Sequence, residues 1–328
     1  MKAVAIVNPV SGRRQAPRRW PTLLKTAGLN AMGMMTWWTE GSGHAEVLAA
    51  RARREGFERV IVAGGDGTLL EVLNGLWWEA KGRLPSVGMV SFGIGCDYIR
   101  NFDVGYSLTE ALVVALGESL IPVDIGMCHL HDMNGRPVQR VFMNVLGLGY
   151  DANVVERMLR QRSHVHGRII YLLSALQELV RLKSHRMKAE VDGDCFQTDT
   201  VLFAVGIGCY FGGGMMITPG ASPQGGRFQL VWGHHQSRLE VLRLLSKIYA
   251  GQHLHHPRVH TRYGRHVKVT AEPQAYVQAE GALIGQTPVE VELYPMKLQF
   301  AAAKTKFGPL AWAKNRATVV GTKRGGWS

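Results

Sequence analysis

The run Gly64-Gly65-Asp66-Gly67-Thr68 constrains this chain more than any other segment. It follows an apolar stretch at 59–63 and precedes Leu69, Val72, Leu73 and Leu76, which recur at helical spacing. A strand that ends in adjacent glycines and turns at once into a helix gathers unpaired backbone N–H groups and the positive helix end at one point, a phosphate-binding arrangement. Such a unit needs a parallel strand to return to, which commits the region to an α/β fold. Gly64, Gly65 and Gly67 let the backbone pass close to a phosphate, and Thr68 offers its hydroxyl to a phosphate oxygen or as a helix cap. Asp66 is anionic, so its partner is a magnesium ion, a metal-bound water or the loop itself.

The surrounding sequence repeats the pattern. Strand-like runs at 3–7, 32–39, 59–63 and 87–91 alternate with helix-like runs at 20–26, 43–55, 68–78 and 108–116. The unbroken apolar character of 59–63 is that of a strand buried on both faces. Two further glycine-bearing loops follow strands: Asn8-Pro9-Val10-Ser11-Gly12-Arg13-Arg14 and Phe92-Gly93-Ile94-Gly95-Cys96-Asp97-Tyr98. In a doubly wound sheet such loops open on one crevice. Asn8, Ser11, Gly12 and Arg13 are therefore expected to join Gly64, Gly65, Asp66, Gly67, Thr68, Gly93, Gly95 and Asp97 around a nucleotide.

Beyond residue 120 the pattern changes. Runs at 121–129 and 139–146 flank the turn His131-Asp132-Met133-Asn134-Gly135, and further strand-like runs fall at 188–191, 200–206, 227–231, 266–270, 275–278 and 289–294. Helices are expected only at 165–180 and 239–249. At about 150 residues per domain, a chain of 328 residues makes two domains. We read an N-terminal doubly wound α/β domain at 1–120, a β-rich sandwich-like domain at 121–294, and a basic tail at 311–328.

Lys and Arg total 38 against 25 Asp and Glu, a net charge of +13. The surplus points to a polyanionic partner: nucleotide, nucleic acid or an anionic membrane. No helix-turn-helix, zinc finger or aromatic-basic strand pattern is present, which argues against sequence-specific nucleic-acid binding. From Ala301 the chain carries Lys304, Lys306, Lys314, Arg316, Lys323 and Arg324 without an acid, a solubilising tail or a contact for an anionic membrane or partner. No run approaches 18 apolar residues, and the apolar N-terminal run breaks at Asn8-Pro9, as a first strand does and a secretory signal does not. Four scattered cysteines read as free buried thiols of a reducing cytoplasm. Trp37-Trp38 and Trp77-Trp78 each place one ring inward, the other serving the core, a homodimer interface or a membrane-facing patch. His129 and His131, and His253, His255 and His256, lack zinc-ligand spacings and are not read as metal sites.

These motifs resemble the diacylglycerol kinase catalytic family, especially its bacterial soluble lipid-kinase branch, with sphingosine and ceramide kinases as relatives. The glycine-rich loop is shared with NAD kinases and, more loosely, phosphofructokinases. The matching positions are Asn8-Pro9 with Ser11-Gly12, the run Gly64 to Thr68 continuing through Glu71 and Asn74-Gly75, and Gly93 through Arg100. Asp124, Asn144 with Gly147 and Gly149, Gly212-Gly213-Gly214-Met215, Pro219 with Ala221, Glu280-Gly281 and Thr287-Pro288-Val289 complete them in family order. The resemblance implies a two-domain lipid-kinase or NAD-kinase-like fold with a cleft between the domains, and a final strand region near 295–310 that returns to the first domain. It implies ATP and Mg²⁺ as cofactors, phosphoryl transfer to a hydroxyl of diacylglycerol or a related lipid, and a cytoplasmic enzyme peripheral to the inner, anionic membrane surface. Asp66 and Glu280 are the catalytic candidates, and Asp97 and Asp124 the metal candidates.

The departures fall on polar positions. The family's Pro-Leu-Gly-Thr-Gly-Asn-Asp reads Ser91-Phe92-Gly93-Ile94-Gly95-Cys96-Asp97 here. Its Asn-Gly becomes Ile207-Gly208, its Asp-Gly becomes Gly225-Gly226, and its Asp-Gly-Glu, with the proposed general base, becomes Glu280-Gly281-Ala282. In an extended strand Glu280 shares a face with residue 282, which makes it the substitute base. The alternative is a catalytically weak or inactive homologue that binds nucleotide, lipid or a protein partner.

Overall fold

The computed structural model describes residues 1–28, 34–78, 82–92, 96–105, 107–160, 168–234 and 237–305. Gly93, Gly95, the first turn of the helix expected at 165–180 and the basic tail at 311–328 lie outside the described residues.

Four parallel strands, β1 (Ala3–Val7), β2 (Met35–Trp38), β3 (Arg59–Gly64) and β4 (Ser86–Ser91), stand in the order β4-β3-β1-β2. Alternate residues of one strand point to opposite faces. Val4, Ile6, Val60, Val62, Val87 and Met89 pack under helices His44–Arg54 and Asp66–Trp78. Ala5, Val7, Ile61, Ala63 and Val90 pack under helices Ala16–Thr26 and Leu108–Leu116. Helices on both faces make the sheet doubly wound. From β1 the chain moves to one side, to β2, and from β3 to the other, to β4. The switch point therefore lies between the ends of β1 and β3, where ligands of such sheets bind.

The helix after β3 starts two residues earlier than expected. The Leu69 amide already donates to the Gly65 carbonyl at 3.1 Å, so Asp66 and Gly67 lie in the first turn.

The β-rich half continues the same sheet through Ala282–Ala301, Tyr276–Ala279, Val145–Gly149, Asp194–Gly206, Phe228–His234 and Val259–Gly264, which are antiparallel neighbours. His185–Val191, His266–Glu272, Leu120–His131 and Pro137–Phe142 branch from it. Leu146, Leu148, Phe203 and Phe228 meet Val191, Val267, Val269, Val289 and Val291 in a core between the layers, a β-sandwich. The helix Tyr150–Arg160 was not expected. It buries Tyr150, Ala152, Val154 and Val155 on one side, a helical spacing masked by the preceding glycines.

Sequence periodicity shows only 289–294 of what is a twenty-residue strand, Ala282–Ala301. Pro288 and Pro295 break the pattern in sequence. In space, register shifts after Gln286 and Tyr294, and Met296 at φ 52°, let the strand bend and continue. Its far end pairs in parallel with β4, Phe300 opposite Val87. Phe300 is fully buried, with its ring 4.8 Å from Phe102 and 5.2 Å from Tyr98.

Cys96, Cys128 and Cys209 are buried free thiols, whereas Cys195 is exposed. Trp37 packs on Phe57 and Trp77 on Tyr294, leaving Trp38 and Trp78 outward. Among the described residues no helix is long and apolar enough to cross a membrane. Phe300→Ala removes a ring from a closed aromatic cluster and is expected to cost about 3–5 kcal/mol in urea unfolding, with the loss read as a lower midpoint at unchanged slope.

Candidate active site

The end of β1 and the end of β3 are tied directly. The Asn8 amide nitrogen donates to the Ala63 carbonyl at 3.0 Å, and its side-chain Nδ2 donates to Thr68 Oγ1 at 3.1 Å. Asn8 Oδ1 accepts from the Val10 amide at 3.1 Å, so this side chain shapes its own loop while holding the next. Gly12 has φ 62°, and a Cβ there would lie 2.6 Å from the Phe92 carbonyl oxygen, so only glycine fits. Between these loops lies a cavity of about 450 Å³ lined by Asn8, Ser11, Gly65, Gly67, Thr68 and the segment 39–42.

Thr39, Glu40, Gly41 and Ser42 were not singled out from the sequence. The signal was Glu71 on the next helix, whose carboxylate accepts from the Gly43 amide at 2.9 Å and the Ala45 amide at 3.1 Å. A helix-borne acid thereby clamps the start of His44–Arg54 and closes the cavity wall. Gly64 stands behind the cavity, packed on Thr68, and Arg13 is exposed and does not line it.

A second cavity, about 210 Å³, lies on the other side of the same helix end, lined by Asp66, Asp97, Asn144, Asp151, Gly212, Gly213, Gln278 and Glu280 among others. Consecutive residues thus face different spaces: Gly65 and Gly67 the first, Asp66 the second. Asp66 accepts from the Asp97 amide at 2.8 Å and the Tyr98 amide at 3.0 Å. Burial first, and then the Asp97 charge, push its carboxyl up to about 7. Asp97 Oδ2 accepts from the Gly213 amide at 2.7 Å, and its Oδ1 lies 3.3 Å from Arg100 Nε. Burial also raises Asp97, partly offset by the Gly213 amide and Arg100.

Glu280 does not sit in an extended strand. With Gly281 it forms the tight turn between Tyr276–Ala279 and Ala282–Ala301, at φ 48° and 78°, the left-handed pair that two-residue hairpins require. The turn, not strand alternation, aims its carboxylate. Oε1 accepts from the Met143 amide at 3.0 Å and the Asn144 amide at 2.7 Å. Oε2 is buried and without a hydrogen-bond partner. Burial raises this carboxyl to about 8, with the Asp66 charge adding to the rise. Ala282 opens the following strand opposite Ala279 and brings no carboxylate.

Asp124 stands elsewhere. It is fully buried on Leu120–His131, and its two oxygens accept from the Gly226 amide at 2.7 Å and the Met296 amide at 2.9 Å. It does not line the cleft; it ties the Gly225-Gly226 turn to the bend of the long strand. A residue that sequence reasoning passed over takes a place in the cleft instead. Asp151, in the first turn of Tyr150–Arg160, accepts from Gln278 Nε2 at 2.8 Å, and burial raises it to about 6.

The donor set fits a hard divalent cation. Four acids, Asp66, Asp97, Asp151 and Glu280, face one space, the Asp97 charge raises Asp66 and the Asp66 charge raises Glu280, and Glu280 Oε2 is left without a hydrogen-bond donor. Asp66 and Asp124 have both oxygens engaged by backbone amides.

A glycine-loop helix end beside an acid cleft brings a phosphate-binding feature next to a group of carboxylates. Residues 2–128 match the diacylglycerol kinase catalytic domain. Residues 144–302 match the YegS C-terminal NAD kinase beta sandwich-like domain. Among curated proteins, the chain is 26% identical over 287 residues to a diacylglycerol kinase of Staphylococcus saprophyticus, covering 88% of this chain and 90% of that one. It is 27% identical to that of Staphylococcus carnosus, with the same coverage of both. Among solved structures, a diacylglycerol kinase of Bacillus anthracis str. Sterne superposes with TM-score 0.68 at 20% identity, covering 92% of this chain and 96% of that one. Yeast NADH kinase in complex with NADH superposes with TM-score 0.51 at 11% identity, covering 99% and 89%. At these identities the structures share the fold. Together they support the two-domain α/β and β-sandwich architecture and a lipid-kinase-like function at the level of the family.

A carboxyl raised on folding binds its proton more tightly in the native state, so it withdraws stability as pH rises from its ordinary value through its folded one. For Glu280 that window runs from 4.5 to about 8. In magnesium-free buffer, Glu280→Gln should gain stability over the wild type progressively across that window, as measured by urea midpoints at several pH values. Parallel pH profiles for the two proteins would contradict the assignment.

Proposed function

We propose that this protein transfers the γ-phosphoryl group of ATP to a hydroxyl of diacylglycerol or a related lipid. The observation that carries the reading is the single helix end at Asp66, with phosphate-cradling glycines on one side and the acid cleft on the other. The segment 1–120, completed by 295–310, serves the nucleotide, and 121–294 serves the acceptor. Gly65 and Gly67 hold the phosphates through backbone N–H groups and Ser11 and Thr68 through hydroxyls, while Asn8 fixes the loops that present them. Mg²⁺, when bound, would offset phosphate charge, and Asp66 and Asp97 are the residues that would hold it.

Glu280 is positioned as the base. Its Oε1 is fixed by two amides, and its Oε2, buried beside the cleft, has no hydrogen-bond partner. The acceptor hydroxyl gives its proton to Oε2, its oxygen forms the new P–O bond, and the bond to the β-phosphate breaks to release ADP. A carboxyl near 8 is a strong base for its type, and its basic form grows as pH rises toward that value. The acid cleft shares Asp151 and Phe211 with an apolar cavity lined by Val201, Val241, Leu244, Leu245 and Ile248. This cavity suits the acyl part of the acceptor. It is narrow, about 60 Å³, so a chain would enter by parting the surrounding helices. The +13 charge favours work at an anionic membrane surface in the cytoplasm.

The second reading, a catalytically weak or inactive homologue, is favoured by Ala282 and Gly225, where no carboxylate stands. Transfer of ³²P from γ-labelled ATP into a panel of diacyl, monoacyl and sphingoid lipids on anionic vesicles separates the two. Measurable ATP binding with no lipid labelling would overturn the kinase reading. If labelling occurs, Glu280→Gln should lower kcat by about 10²–10⁴-fold with ATP affinity retained; an undiminished rate rejects Glu280 as base. A large gain from Ala282→Glu combined with Gly225→Asp would favour the weak-homologue reading.

A further inference from the structure

A second group of titratable side chains sits far along the long strand and has no part in the cleft. His266 begins the strand His266–Glu272 and lies directly opposite Glu292, while Glu290, two residues along, shares the same face. His266 Nε2 lies 2.6 Å from Glu290 Oε1 and 4.0 Å from Glu292 Oε1. One ligand atom from each residue falls within 4.8 Å of the other two, the one such grouping among the described residues.

We infer that His266, Glu290 and Glu292 form a binding site for a divalent cation of the zinc class, separate from the phosphoryl-transfer cleft. Two carboxylates converge on one imidazole nitrogen, which has a single proton to offer. A cation in its place satisfies both. One imidazole with two carboxylates is a donor set that Zn²⁺ takes readily, whereas Mg²⁺ prefers oxygen and water alone. The outer groups are in place. Tyr294 Oη donates to Glu292 Oε2 at 3.2 Å, and the His266 backbone amide is fixed by Asp192 Oδ1 at 2.8 Å. All three side chains are between 31% and 43% exposed, which leaves room for a water in the fourth position. His129 lies opposite Glu290 on the neighbouring strand, one rung away, as a further imidazole on the same face.

The competitor is Lys268, whose Nζ lies 3.4 Å from Glu290 Oε1. It is half exposed on a flexible stem and can swing into solvent. Linear spacing conceals this site because its ligands come from two strands joined by register. Glu290 and His129 also line an open groove of about 610 Å³ with Trp78, His131 and Gln139, so a bound cation would face a space large enough for a small anion. Binding takes the Nε2 lone pair and leaves the ring's proton at Nδ1.

The test is calorimetric titration of the metal-free, full-length protein with ZnCl₂. The expected result is a saturable site of one ion per chain that millimolar Mg²⁺ does not displace. His266→Ala and Glu292→Gln should each weaken binding at least about tenfold, while His255→Ala should leave it unchanged. Circular dichroism checks that each variant is folded, and Glu292→Gln, on an exposed position, tests the site should His266→Ala unfold. No saturable binding, or binding that survives both substitutions, overturns the inference.

Discussion

The structure depends on carboxylates held by backbone amides of distant loops. Asp66 receives the amides that begin the segment after β4, Asp97 receives Gly213, Asp124 receives Gly226 and Met296, and Glu280 receives Met143 and Asn144. The bonds of Asp66, of Asp97 and of Asp124 to Gly226 join parts of the chain that no sheet ladder joins, while those to Met296 and to Met143 and Asn144 fix the bends beside existing ladders. A charged acceptor makes such bonds stronger than neutral ones. The opposing cost is desolvation, and it shows as raised pKa values at Asp66, Asp97, Asp124 and Glu280. The same arrangement therefore assembles the cleft and leaves Asp66 and Glu280 poised near neutrality.

Division of labour at the helix end follows from the early start of Asp66–Trp78. A helix beginning at residue 68 would leave Asp66 in a free loop. With Asp66 in the first turn, the positive helix end lies beside both the glycine cavity and the acid cleft. That one turn couples nucleotide binding to the position of the acids.

Much of this was legible in the sequence. The glycine run, the alternation of strands with helices and the apolar β3 carry the doubly wound half, because each is a local pattern. The loop that begins at Asn8 and the loop that carries Asp97 were legible for the same reason. What was hidden depends on pairing between remote segments. The long strand is obscured by Pro288 and Pro295, yet it continues because the bends coincide with register shifts. Glu280 was assigned to the cleft on the premise of an extended strand, but a hairpin turn puts it there. Asp124 looks like any buried acid in sequence, and only the amides of Gly226 and Met296 reveal that its oxygens are already occupied. The glycines before Tyr150–Arg160 concealed a helix, and with it Asp151.

The return of the long strand to β4 bears on the order in which the molecule can be completed. Phe300 closes a cluster begun by Tyr98 and Phe102. During synthesis, β4 and this aromatic pair emerge long before their partner and wait with an open edge and an uncovered apolar face. An open strand edge is a template for wrong pairing, and contacts distant in sequence form slowly because loop closure precedes their reward. The half of the molecule that cradles phosphate is thus made first and finished last, and its folding is contingent on the half that follows it.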